Sequence, residues 1–150
     1  MISKILVPTD GSETARKAAR YAVDLAKQTG ATITLVSVID QSFYPLQTIP
    51  DVVATPMRLR EPIWDFLRQG AEAHLYNAEK LCKKKGIRSK TVIRTGHPVE
   101  EIMKEATKSK VDLIIMGSHG RSALKAAVLG SVTFGIIHKD TKVPVLVVRK

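Results

Sequence analysis

The chain has 150 residues, 44% of them hydrophobic and 25% charged, which is the balance of a soluble globule. At that length a single domain can bury a substantial core without disulfide staples. The 24 lysines and arginines against 14 acidic residues leave a net charge of +10, which suits nucleic acid, acidic membranes or anionic small molecules and does not choose among them.

Met1 to Leu6 runs straight into a strand pattern without a signal-peptide cleavage region. Lys4 to Asp10 reads as a short apolar strand. Ser12 can cap a helix that carries Ala15, Ala18, Ala19, Ala22 and Ala26 on one face and stops at Gly30. Small residues on that face predict close packing on a sheet. Ala31 to Ile39, rich in β-branched residues, reads as a second strand. Asp40 to Met57 holds three prolines, follows neither period and reads as a loop.

Pro62 suits the first turn of a long helix whose core stripe is Ile63, Phe66, Leu67, Ala71, Leu75, Ala78, Leu81 and Cys82, with Gly86 as the stop. Cys82 is the only cysteine, so it forms no internal disulfide, and it lacks the Cys/His neighbours of a metal site. A reducing compartment, the cytoplasm, is the expectation. Lys90 to Arg94 is the third strand. Pro98 starts a helix with Val99, Ile102, Met103 and Ala106 inward, Val111 to Met116 is the fourth strand, Ser131 to about Lys139 is helical, and Val143 to Val148 closes as a strand. No apolar stretch approaches the roughly 20 residues of a membrane span, and no repeat or linker divides the chain. Alternating strands and helices predict a parallel sheet in a doubly wound α/β sandwich. The loops after Thr9-Asp10, Val38-Ile39-Asp40 and Met116-Gly117 then share the carboxyl edge, where such sheets bind ligands at the point of strand-order reversal.

Within that frame Met116-Gly117-Ser118-His119-Gly120 is followed by nine residues, Arg121 to Leu129, and then by Gly130-Ser131-Val132-Thr133. Glycine permits close approach and unusual φ angles. A strand that ends in such glycines and leads to another glycine opening a helix turns backbone N–H groups toward phosphate oxygens. The Ser131 and Thr133 hydroxyls can add hydrogen bonds. Asp10 offers a carboxylate at the same edge, either to the ligand or as a helix cap beside Ser12, and the two are compatible.

The pattern Gly117-x-x-Gly120, nine residues, Gly130-Ser131 resembles the ATP-binding signature of the universal stress protein family. So do Lys4-Ile5-Leu6-Val7-Pro8-Thr9-Asp10-Gly11-Ser12, Val38-Ile39-Asp40 and Val143-Pro144-Val145-Leu146-Val147-Val148-Arg149, so that nearly the whole chain is covered. The resemblance implies a Rossmann-like sheet of order 3-2-1-4-5 and membership of the ATP-binding subgroup. It also implies a nucleotide site at Pro8, Thr9, Asp10, Val38, Met116, Gly117, Gly120, Gly130, Ser131, Val132 and Thr133. ATP would carry Mg²⁺ or Mn²⁺ through its phosphates, with Val38 and Ile39 as the adenine wall. A homodimer through Val143 to Val148 is implied as well.

His119 reads as an exposed loop imidazole, with phosphate contact as the alternative. His74, His97 and His138 lack metal-ligand spacing and read as structural or solvent-facing. Lys83, Lys84 and Lys85 read as a solvated helix end, while Arg121 and Lys125 are solvated or neutralise phosphate. The chain has no Gly-x-x-x-x-Gly-Lys-[Ser/Thr], Gly-x-Gly-x-x-Gly, Gly-x-Ser-x-Gly or Cys-x-x-Cys. Pro8 to Ser12 lacks the paired glycines of the related ATP pyrophosphatase loop, which argues against an adenylating enzyme. Three classes follow. A nucleotide-binding regulatory protein leads. A slow ATPase or phosphotransferase would need a base that only His119 or Asp10 could supply. A non-specific nucleic-acid binder rests on charge alone, since aromatic residues are few and dispersed. No specific nucleic acid and no membrane partner is expected, and the basic charge is assigned to the general surface with some focusing on nucleotide phosphates.

Overall fold

The computed structural model describes residues 1–40, 57–120, 129–139 and 141–149. The loop expected between Asp40 and Met57, and the cations Arg121 and Lys125, fall largely or wholly outside them. Strand β1 (Lys4–Pro8), helix α1 (Glu13–Thr29), strand β2 (Thr32–Asp40), helix α2 (Met57–Lys84) and strand β3 (Ser89–Gly96) form the first half. Helix α3 (Pro98–Lys108), strand β4 (Leu113–Gly117), helix α4 (Ser131–Ile137) and strand β5 (Val145–Val148) complete it. The strands make one sheet in the order β3-β2-β1-β4-β5, and every pairing is parallel.

Two cores follow from the alternation of side chains along buried strands. Ile5, Val7, Ile33, Leu35, Leu113 and Ile115 face the alanines of α1 and Leu75, Ala78 and Cys82 of α2. Leu6, Val36, Ile114 and Met116 face Val99, Ile102 and Ala106 of α3 and Ile136 of α4. Alanines let α1 lie close to the sheet, as its pattern requires. Ser12 caps that helix by accepting from the Ala15 amide at 3.2 Å.

Two expectations need correction. Helix α2 begins at Met57, so Pro62 lies inside it and not at its start. A proline one turn in forfeits an amide bond only to the opening turn, which is why the helix tolerates it. Phe66 is 73% exposed and leaves the core stripe, because the buried face of α2 is carried by Ala71, Leu75, Ala78 and Cys82 further along. Glu105, unremarked in the sequence, is buried at 2% exposure. Its Oε2 accepts from Arg94 Nη1 at 3.0 Å and its Oε1 from Ser109 Oγ at 2.9 Å. The same Arg94 donates from Nε to Glu101 at 2.7 Å, fastening α3 to β3.

Candidate functional site

Strand order reverses at β1, which lies between β2 and β4, so the carboxyl ends of β1 and β4 flank the switch point. On the β1 side, the Thr9 amide donates to Val36 O at 2.8 Å and Asp10 Oδ1 accepts from the Ser12 amide at 2.9 Å. Gly11 takes φ +79°, with an imidazole, that of His74 from α2, in the space where a side chain would stand. Arg16 Nη1 donates to Gly11 O at 2.7 Å. Asp10 thus braces the turn ahead of α1, while Ser12 serves as the cap.

On the β4 side, the Ser118 amide donates to Val148 O at 2.9 Å and Ser118 O accepts from the Gly130 amide at 2.8 Å. This second bond closes the loop onto α4. The Thr14 hydroxyl of α1 donates to His119 O, and Ser118 Oγ lies 3.1 Å from His119 Nδ1. The two sides meet at Gly120, where an ideal Cβ would stand 2.5 Å from Asp10 Oδ2.

None of the signature glycines has a positive φ; those in the left-handed region are Gly11, Gly30, Gly86 and Gly96. Their necessity is spatial. A Cβ on Gly117 would lie 2.8 Å from the backbone carbon of Thr14, and one on Gly130 would lie 2.9 Å from His119 Cα and 3.3 Å from Gly120 N. These glycines let the β4 loop nest between the first turns of α1 and α4.

Several expected contributions change. Thr133 is buried and its hydroxyl donates to Gly117 O at 2.8 Å, so that hydroxyl ties α4 to β4 and is already spent. Met116 is 4% exposed, with its side chain in the core beside Ile136, and Val132 packs on the same core. Thr9 is buried and its Oγ1 accepts from the Gly11 amide. These residues can present only backbone to a ligand. Val38 is partly buried on the α3 and α4 face, in register with Arg94. Pro8, in register with Val36, ends β1. Ser131 is exposed. Helix α4 has seven residues, too few for a strong macrodipole, so the attraction expected of its N-terminus passes to the loop backbone.

No pattern in the sequence marks Thr14, Arg16 or His74 for this edge. A threonine at a buried position two residues past a capping serine is the one signal that could have marked Thr14. Among the described residues no group of three His, Cys, Asp or Glu side chains could hold a metal ion, and no helix is long and apolar enough to cross a membrane.

A parallel sheet of order 3-2-1-4-5, with glycine-bearing loops from β1 and β4 meeting at the switch point, defines a Rossmann-like α/β protein with its ligand edge at the strand carboxyl ends. The profile of the universal stress protein family matches residues 1–149, and the chain belongs to that family. It is similar to universal stress protein MJ0577 of Methanocaldococcus jannaschii, with 36% identity over 157 aligned positions that cover all of this chain and 96% of the relative. The solved structure of MJ0577 superposes with a TM-score of 0.83 at 35% identity, over 100% of this chain and 97% of that one. The same fold occurs in a universal stress protein in complex with cAMP, with a TM-score of 0.67, 23% identity and coverage of 99% and 97%. It occurs again in one from Archaeoglobus fulgidus in complex with dAMP, with a TM-score of 0.66, 17% identity and coverage of 99% and 98%.

Proposed function

We propose that this protein is a cytoplasmic stress-response regulator whose chain acts as one domain and which binds ATP with Mg²⁺ or Mn²⁺ at the junction of the β1 and β4 loops. The observation that carries the reading is the meeting of Asp10 Oδ2 with the side-chain-free face of Gly120 at the switch point. Glycines in that loop let backbone amides approach phosphate, and an adjacent carboxylate suits a ribose hydroxyl or a phosphate-bound cation. The cation would take most of its ligands from phosphate and water. Proteins of this fold solved in complex with cAMP and dAMP support adenine as the base.

Occupancy would favour one arrangement of the two loops, which approach each other where Asp10 faces Gly120, and so bias conformation or assembly. The assembly would be a homodimer through edge strand β5. Backbone amides grip the phosphates in ground and transition states alike, so turnover would be slow or absent. Calorimetric titration with ATP and Mg²⁺ tests the reading: saturable binding near one nucleotide per chain supports it, and no heat at millimolar ATP refutes it.

A further inference from the structure

Because every strand is parallel, all connections from a helix into a strand lie on the amino edge of the sheet, opposite the β1 and β4 loops. That edge comprises residues 1–4, 27–32, 83–90, 108–113, 138–139 and 141–144. It carries eleven cations, Lys4, Lys27, Lys83, Lys84, Lys85, Arg88, Lys90, Lys108, Lys110, Lys139 and Lys142, against one acid, Asp112. The other described residues have ten cations and eleven acids. Among the described residues the excess of positive charge therefore sits on one face, where the expectation was a general basic surface with some focusing on the nucleotide.

All eleven cations are exposed. Of these eleven only Lys83 has an ion-pair partner among the described residues, Glu79 at 2.7 Å. Asp112 is occupied with Ser3 and Lys4, its Oδ2 accepting from the Ser3 amide, the Ser3 hydroxyl and the Lys4 amide at 2.9 Å each. Helix dipoles favour cations in last turns, and they account for Lys27, Lys83, Lys84 and Lys108. Lys85, Lys110 and Lys139 follow within two residues of helix ends, and Lys4, Arg88, Lys90 and Lys142 stand in connections or at strand starts, where no dipole calls for them.

We infer that the amino edge is a docking surface for the phosphate backbone of a nucleic-acid duplex. Strand starts about 4.8 Å apart spread the array over about 19 Å, the length of roughly six base pairs. Ten of the eleven cations are lysines, point charges that meet phosphates without the bidentate geometry that reads bases. The edge has no Phe, Trp or Tyr to stack unpaired bases, which disfavours single strands. Stable membrane attachment needs a second, apolar signal beside a basic patch, and Met1 is the one large exposed hydrophobic among the described residues of this edge.

The test is fluorescence anisotropy of the full chain with a labelled duplex of arbitrary sequence. Binding should weaken about 500-fold between about 50 and 200 mM salt, as expected for about five phosphate contacts, and should be the same for an unrelated sequence. The triple variant Lys85→Glu, Arg88→Glu, Lys142→Glu should bind at least tenfold more weakly. The triple variant Arg20→Glu, Arg68→Glu, Lys80→Glu, with the same change in net charge on exposed positions elsewhere, should lose less than threefold. Circular dichroism confirms that both remain folded; should the first triple unfold, Lys84→Glu with Lys108→Glu replaces it. Equal losses in the two sets, no duplex binding at low salt, or capture by phosphatidylserine vesicles in place of the duplex would overturn the assignment.

Discussion

At Gly120 one methyl group separates glycine from alanine, and that methyl would start 2.5 Å from Asp10 Oδ2. The atom in the way is the end of a side chain, so Gly120→Ala should swing the carboxylate aside and leave the fold standing. We expect ATP affinity with Mg²⁺ to fall about tenfold, near 1.4 kcal/mol, with a melting temperature within a few degrees of the parent. Gly130 is different, because its obstacle is the backbone of His119 at 2.9 Å. Gly130→Val should lower thermal stability and nucleotide affinity together. A variant there that lost affinity alone would contradict the packing described.

Two carboxylates give the protein a pH dependence of known sign. The hydrogen bond from Arg94 holds Glu101 below the ordinary range, with Lys104 adding to it, and hydrogen bonds from the Ser3 amide and hydroxyl and the Lys4 amide hold Asp112 low. A carboxylate with a depressed folded pKa stabilises above its unfolded value, about 4, and that contribution drains away as pH falls through the folded values. Stability should therefore drop steadily below about pH 4. In Arg94→Met the slope should flatten, since Glu101 loses its main partner, and buried Glu105 loses its cation. The variant should cost about 2 kcal/mol at neutral pH, toward the low end for breaking a partly buried pair. Urea titration across pH measures both.

Among the elements, β5 has one strand neighbour, β4, and its other edge pairs with no described strand. Unpaired apolar edges invite a second copy about a two-fold axis. Leu146 and Val148 turn toward the α1 core and Val145 toward the α3 core, while Phe134 and Ile137 of neighbouring α4 are 54% and 43% exposed. Light scattering at micromolar concentration should give a dimer, and Val147→Lys should return it to monomer. A monomeric parent would defeat the proposal. At the start of α1, Ser12→Ala should cost about 1 kcal/mol and loosen the turn that holds Asp10.

Over the whole molecule, periodicity made the alternation of strands and helices legible, because buried parallel strands and one-sided helices leave different spacings of apolar residues. Strand order came from family resemblance, since each crossover is right-handed whichever side of the sheet it takes. The positions of the glycines were legible too, but not their reason. Gly117 yields to Thr14 and Gly11 to His74, partners far off in sequence that only the folded chain brings together. Phe66 was misread for a related cause, as helical spacing fixes the face of a residue and not how far along the helix the sheet extends. The concentration of charge on the amino edge was likewise invisible until the connections were gathered on one side.

That arrangement separates two surfaces, the proposed nucleotide edge and a basic edge, on opposite ends of the strands. On the proposed reading, backbone amides hold the phosphates equally in ground and transition states, so steady-state hydrolysis should stay well below about 1 per second, with His119→Ala changing it little. Whether the junction of Asp10 with the glycine loop holds ATP is decided by titrating ATP with Mg²⁺ into the parent and into Gly120→Ala by calorimetry. Saturable binding near one ATP per chain in the parent and about tenfold weaker binding in the variant are expected. Equal affinities in the two proteins, or no binding to the parent, would contradict that placement of ATP.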